Sequence, residues 1–434
     1  MDFGVRSCPF KVEDATSRDG DDAPRFRLPG RAPPAQFPGM IGWFRAARSD
    51  ALGLFPEECF RKHRVDRRVA NTNLSVVSDA ASIKQIFAHR AAEFKLSNLH
   101  LRILKPSLGR GVIVAEGDDW RRLRRASLAM IRAGQQGGGS QNAIDEAKRL
   151  ARKHAEAPDF AESLSRLMLD LVATDILGHS HTIASRHITE AIERHRAVSE
   201  QVDLMDLLGV APKFTSRKMR EASRIAAEFD DEIFAEIGIT PQSPPEQVRE
   251  EEYRDLIVNL LTGFESLWLT CLWSLLALAH ERELLVWLRR SDNADTFRSR
   301  LERITLEILR LYPPLPLIYR TPLADLDLAS GAYRKGQLIC VSPYVVQRHA
   351  LNWEEPDVFA MDRPLSDYRR TEFMPFGVGV RRCVGANAAP RIVIDVLAGL
   401  LENHDPECAG IMPIPRMGLS LRPHGSHGLV LIKR

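Results

Sequence analysis

The spacing of hydrophobic positions changes character along this chain. From Asn73 to Asp79 the run NLSVVSD reads as a strand, and Ala81–His89 follows with the three-to-four-residue period of an amphipathic helix. Helical patterning then dominates to about residue 312. The Gly-rich segment Gly134–Gly139 interrupts it and predicts a loop between helices. Beyond Pro313 the runs LPLIYRTP and QLICVSPYVV predict short strands. One last helix follows, and GLSLRP and GLVLIKR close the chain as strands. Residues 1–40 are polar, then rich in Pro (Pro24, Pro29, Pro33, Pro34, Pro38), and predict a loose tail and entry strap. No solenoid repeat is visible. The pattern predicts a mainly α fold with minor β.

One stretch, Leu256–Ala279, is apolar enough to pass for a membrane span. It carries Asn259, Gly263 and Glu265 near its middle, and a carboxylate at the centre of a bilayer costs roughly 2.5–3.5 kcal/mol on insertion scales. A long helix inside the protein is the expected reading, with no transmembrane anchor. Composition narrows the class further. Of 434 residues, 44% are hydrophobic and 27% charged, which excludes global disorder. Sixty basic against 57 acidic residues give a net charge of +3, too small to argue for a nucleic-acid partner. The six cysteines (8, 59, 271, 340, 383, 408) are scattered with no CxxC, so isolated thiols in a cytoplasmic protein are expected rather than a disulfide scaffold. Residues 1–23 are charged and lack the apolar core of a secretory signal.

The strongest chemical signal is Phe376-Gly377-Val378-Gly379-Val380-Arg381-Arg382-Cys383-Val384-Gly385. Glycines before the Cys let the backbone turn tightly and approach a flat ligand, and Gly385 keeps its far side open. A thiolate where a helix begins is stabilised by free N–H groups and becomes a metal ligand. Phe376 would cover the sulfur. The alternative is a buried Cys in a Gly-rich turn. Phe, Gly, a basic residue, Cys and Gly at these offsets arise by chance in on the order of 10⁻⁴ of such chains.

The segment resembles the haem-binding loop of the cytochrome P450 family, FxxGxRxCxG. The resemblance implies a single haem-enclosing domain over residues 41–434, haem b as cofactor and Cys383 as the iron ligand. Glu307-Ile308-Leu309-Arg310, followed by Tyr312-Pro313-Pro314, resembles the family's structural ExxR, with Arg363 as the third member of its ion-pair network. Glu221–Arg224 and other pairs share the spacing, and position selects Glu307. The stretch from Arg348 to Pro356 resembles the segment leading into that region, with His349 expected to be structural. Trp120 and Arg124 match the WxxxR whose Arg binds a haem propionate, and Arg320 and Arg381 are the other propionate candidates by match. Thr262-Gly263-Phe264-Glu265-Ser266-Leu267 aligns with the AGx(D/E)T(T) of the long distal helix. Gly263 would leave room for dioxygen there. Glu265 and Ser266 fall on the acid–alcohol pair that relays protons to the distal side of the haem.

The chain departs from the family at several positions. Ser266 stands where Thr is usual and lacks the β-branch that fixes a rotamer. Leu267 follows it, and Thr262 replaces Ala. Pro364 follows Arg363 where an aromatic is common. Pro390 is expected inside the last helix, with loss of a hydrogen bond and a kink. The matched pocket segments, Phe94–Val114 with Leu99, Leu101 and Ile103, together with Leu261, Phe264 and Pro316–Ile318, imply an apolar small-molecule substrate. Arg121, Arg122, Arg125 and Arg382 are expected to form a cationic face for an acidic ferredoxin or flavodoxin. No flavin or iron–sulfur domain fits after Cys383, so NAD(P)H would act through that protein and its reductase. Two other readings stay open: a peroxygenase using hydrogen peroxide, and a haem carrier or sensor with little turnover.

Overall fold

The computed structural model describes residues 23–69, 72–136, 142–177, 194, 196–198, 200, 203–207, 210–237, 248–425 and 427–434. The tail expected at 1–22 lies outside them, as does the Gly-rich stretch beyond 136. Among the described residues the principal helices are α1 Met40–Ser49, α2 Ala80–Lys84, α3 Asn98–Leu108, α4 Gly117–Gln136, α5 Ala143–His154, α6 Phe160–Leu177, α7 Arg217–Ile237, α8 Glu250–Leu261, α9 Gly263–His280, α10 Ala294–Leu311 and α11 Ala389–Leu401. The strands used below are β1 Arg25–Phe26, β2 Arg64–Val69, β3 Thr72–Val77, β4 Phe94–Leu96, β5 Ile318–Pro322, β6 Leu338–Val341, β7 Phe359–Ala360, β8 His404–Cys408, β9 Pro415–Met417, β10 Leu421–Pro423 and β11 Leu429–Lys433. The fold is mainly α with minor β, as the hydrophobic periods predict.

Helix α9 is the core element. Every residue from Leu269 to Leu278 is buried, packed against α6, α10, α11 and β8. The run that could pass for a membrane span is two helices, broken at Thr262, whose hydroxyl donates to the Asn259 carbonyl at 2.8 Å. Asn259 has a use in the protein interior. Its Nδ2 donates to the Leu108 carbonyl at 2.9 Å and its Oδ1 accepts from the Ile113 N–H at 3.2 Å, clamping the turn that follows α3. Gly134 corrects the expected loop. It lies within α4, where an added Cβ would sit 1.8 Å from the Asp175 carbonyl oxygen of α6, so this glycine serves close helix packing.

The five-stranded sheet runs β2-β3-β6-β5-β4, with β3 and β6 parallel and the other pairs antiparallel. Its β4–β5 register sets Leu96 opposite Arg320. Ser97 then caps α3 by accepting from the His100 N–H at 3.1 Å. The strand edge therefore delivers Arg320 and the start of α3 to one place. The strap is also tied down. Arg25 pairs with Ala360 in β1–β7, and the Pro29 carbonyl accepts from the Tyr312 hydroxyl at 2.6 Å.

Glu307 is fully buried and organises the ground beneath the Cys383 loop. Its carboxylate accepts from Arg310 Nε at 2.6 Å and Nη2 at 2.8 Å, from the Tyr368 hydroxyl at 2.8 Å and from the Ala360 N–H at 3.0 Å, and Arg363 Nε forms an ion pair with it at 3.2 Å. Arg310 donates onward to the carbonyls of Gln347 and Val358, at 3.1 and 2.7 Å. Burial alone would raise Glu307, but the charges of Arg310 and Arg363 and the hydrogen bonds from Arg310 and the Ala360 N–H outweigh it and hold the carboxyl below its usual range. The competing pair, Glu221–Arg224, lies half-exposed on α7. His349 is structural, its ring stacked on His63 with centroids 4.9 Å apart. Breaking one side of a buried pair costs about 3–5 kcal/mol. Glu307→Ala and Arg310→Ala are each expected to lower the melting temperature sharply and give mostly haem-free protein. Glu221→Ala is expected to change the melting temperature little, because exposed pairs contribute at most about 1 kcal/mol.

Candidate active site

The segment 376–385 forms a tight loop. Two glycines with positive φ, Gly377 at 68° and Gly379 at 71°, bend it, and the Cys383 N–H closes it onto the Phe376 carbonyl at 2.9 Å. Gly379 has a second reason to be glycine: a Cβ there would meet the Phe87 carbonyl oxygen at 1.9 Å. Cys383 lies deep in the protein, yet its side chain is exposed, because it opens onto a large cavity. Burial pushes its thiol up. Backbone N–H groups of Gly385 and Ala386 and the charges of Arg124 and Arg382 pull the other way. The helix expected to begin at the Cys begins only at Ala389, so loop amides rather than a helix N-terminus serve the sulfur. Pro390 accordingly lies in the first turn of α11, where no intrahelical bond is lost and no kink follows.

The cavity encloses about 620 Å³ and is walled mainly by apolar side chains. Leu99, Ile103, Leu261, Phe264, Leu317 and Ile318 line it, whereas Leu101 and Pro316 do not. At one end stand Trp120, Arg124, Arg320 and Arg381. The guanidinium of Arg381 lies over the Trp120 ring at 4.8 Å and donates to the Ala115 carbonyl at 2.7 Å; that of Arg124 approaches the same ring at 5.9 Å. Burial, with the charge of Arg381, depresses Arg320 to about 9, and burial, with the charge of Arg124, depresses Arg381 to about 10. Three crowded, desolvated cations call for negative charge, and a dianionic ligand would supply it. Sequence reasoning missed His100, whose ring joins this group with Nε2 unpartnered among the described residues. No motif marks it; the β4–β5 register brings it there.

On the distal wall, a Cβ at Gly263 would meet nothing within 4 Å, and Ser266 is exposed to the cavity. Glu265 is not isolated. Its Oε1 accepts from the Ser420 hydroxyl at 2.6 Å and from Arg422 Nε at 2.9 Å, and the Arg422 guanidinium lies 5.1 Å from the Trp268 ring centroid. Ser420 and Arg422, on the β9–β10 hairpin, carried no signal in the sequence, because only the folded hairpin sets them beside α9.

A sulfur on a Gly-bent loop, a mainly apolar cavity and a cationic end fit a haem with its two carboxylates. The family model for cytochrome P450 matches residues 29–282 and 300–425. The chain belongs to the cytochrome P450 family. A putative cytochrome P450 137 of Mycobacterium tuberculosis is 29% identical over 294 residues, covering 59% of this chain and 60% of that protein. The protein LUTEIN DEFICIENT 5 of Arabidopsis thaliana is 21% identical over 414 residues, 82% of this chain and 69% of its own length. Among solved structures, a six-coordinated cytochrome P450 from Thermus thermophilus superposes with a TM-score of 0.68 at 20% identity, covering 86% of this chain and 95% of its own. A mutant haem domain of cytochrome P450DA gives 0.71 at 18% identity, with 94% and 98% covered. At these identities the structural likeness speaks for the P450 fold.

The P450 loop makes a direct prediction. The reduced protein with carbon monoxide is expected to show the red-shifted Soret band of a thiolate ligand. Cys383→Ser is expected to lose that band, while Cys271→Ser and Cys340→Ser, which alter buried thiols away from the loop, are expected to keep it.

Proposed function

We propose that this chain is a haem-thiolate monooxygenase that oxidises an apolar small molecule, with haem b as cofactor and Cys383 as the iron ligand. The observation that carries the reading is the Cys383 side chain opening into the same cavity as the cationic end formed by Arg124, Arg320 and Arg381. Haem, when bound, supplies the activation of dioxygen; the remaining work belongs to the chain. Trp120, Arg124, Arg320 and Arg381 hold the carboxylates. Phe376 covers the sulfur, and Gly379 and Gly385 shape its loop. The apolar walls exclude water and receive a substrate of matching polarity. Residues 41–434 form the catalytic domain in this reading, with 1–40 as tail and strap.

Ser266 and Glu265 move protons to the distal side, with Gly263 leaving space. A Ser hydroxyl donates and accepts, yet it can also turn to a carbonyl of the preceding turn, so it holds water less firmly than Thr. Electrons derived from NAD(P)H arrive through a ferredoxin or flavodoxin and its reductase. Arg121 and Arg125, exposed on the helix that carries Trp120 and Arg124, support a docking face for such an acidic protein. The buried free thiols Cys59, Cys271 and Cys340 support a cytoplasmic site. A second reading, direct use of hydrogen peroxide, is favoured by one observation: Glu265 is already committed to Arg422 and Ser420.

One comparison separates them, using a substrate identified by the shift of the Soret band on binding. In the monooxygenase reading, Ser266→Ala lowers product formed per NADPH with a surrogate ferredoxin pair, and Ser266→Thr raises it. Glu265→Gln slows the reductant-driven reaction far more than the peroxide-driven one, because peroxide brings its own protons. Equal losses in both assays, tracking a lower melting temperature, would overturn the proton-delivery roles. Turnover with peroxide and none with the reductant-driven pair would establish the second reading.

A further inference from the structure

His100 stands among these cations as an imidazole, a side chain with both a neutral and a charged form. Its position is fixed from both ends. Ser97 caps α3 at the His100 N–H, and the imidazole donates a ring N–H to the Ile113 carbonyl. Ile113 is itself held by Asn259 of α8, through the 3.2 Å bond from its N–H. Because Nε2 has no partner among the described residues, the bond to Ile113 uses Nδ1. A carbonyl only accepts, so the neutral ring carries its proton on Nδ1 and shows a bare lone pair at Nε2. Burial first, then the charges of Arg320 on β5 and Arg381 in the 379–381 turn, hold the ring down to about 4, so it is neutral at pH 7. Glu116, which precedes α4, acts on both guanidiniums. Helix α8 contributes Asn259 and, at the turn after α3, the carboxylate of Asp255, which accepts from the Arg110 N–H at 2.7 Å; Arg102, two residues along α3, is held in a 2.7 Å pair with Asp206.

An ionised carboxylate entering this site brings acceptor oxygens toward a nitrogen that is also an acceptor. The two meet favourably only with a proton between them. We propose that His100 Nε2 joins a carboxylate of the bound haem through one proton taken up on binding, which makes haem retention in this chain fall as pH rises. The proton comes from solvent and forms an N–H bond that donates to the carboxylate, so no other bond breaks. The direction follows from linkage: the bound carboxylate favours the charged ring, so the extra affinity is present below the pH at which the bound ring titrates and is lost above it. One linked proton changes affinity by at most about tenfold per pH unit. This inference rests on the haem-binding reading above.

The test is the transfer of haem from the holoprotein to excess apomyoglobin between pH 6 and 9. Wild type is expected to release haem progressively faster as pH rises. His100→Gln places an N–H donor there at every pH, and His100→Arg a fixed cation; both are expected to lose the His100 part of the slope. Proton uptake on haem reconstitution, followed with an indicator dye at pH 7, is expected to be about one proton larger for wild type than for either variant, since release of the Cys383 proton is common to all three. Equal slopes and equal uptake in wild type and whichever variant folds would overturn the role of His100 while leaving haem binding intact. If no form retains haem, the functional reading itself fails, and this inference with it.

Discussion

The carboxylate of Glu307 is the interaction on which the rest of the structure depends. It is an ionised group with no access to water, and it is tolerated because two guanidiniums, a phenol and a backbone amide surround it. Those partners come from α10, from β7 and from the stretch that leads into the Cys383 loop. Through Arg310 they also fix the carbonyls of Gln347 and Val358. Satisfying one buried charge therefore sets the relative positions of the strap, the core helix layer and the loop carrying the sulfur.

The cavity inverts that logic. Near Glu307 charge is neutralised within the protein. At the cavity end, Arg124, Arg320 and Arg381 are crowded and desolvated, and burial weakens their hold on their protons. A network complete in itself serves folding, whereas three guanidiniums faced by the single carboxylate of Glu116 keep an excess of positive charge for a ligand. His100 belongs with the second kind. The distal wall stands between the two, because Glu265 lies beside the cavity yet is held by the terminal hairpin through Arg422 and Ser420.

Much of this is legible in the sequence, for identifiable reasons. Gly377, Gly379 and Cys383 lie within a few residues of each other, so their geometry is local and their spacing is visible. The pattern Glu307–Arg310 is equally local but common, and in space its burial and the partners Arg363, Tyr368 and Ala360 distinguish it from Glu221–Arg224. Pro390 misleads because the start of α11 depends on how the loop after Cys383 turns, which local propensity does not report. Gly134 reads as a loop residue because the carbonyl it packs against belongs to Asp175, distant in sequence. His100, Ser420 and Arg422 leave no trace, because sheet register and hairpin placement bring them to the cavity, and neither is encoded near them.

The central claim is that this cavity holds a haem whose iron is bound by the sulfur of Cys383. X-ray absorption at the iron edge of the haem-loaded protein tests it most directly. The account predicts one sulfur neighbour in the first coordination shell of wild type, replaced by a light-atom neighbour in Cys383→Ser. A wild-type iron surrounded by nitrogen and oxygen alone would contradict it.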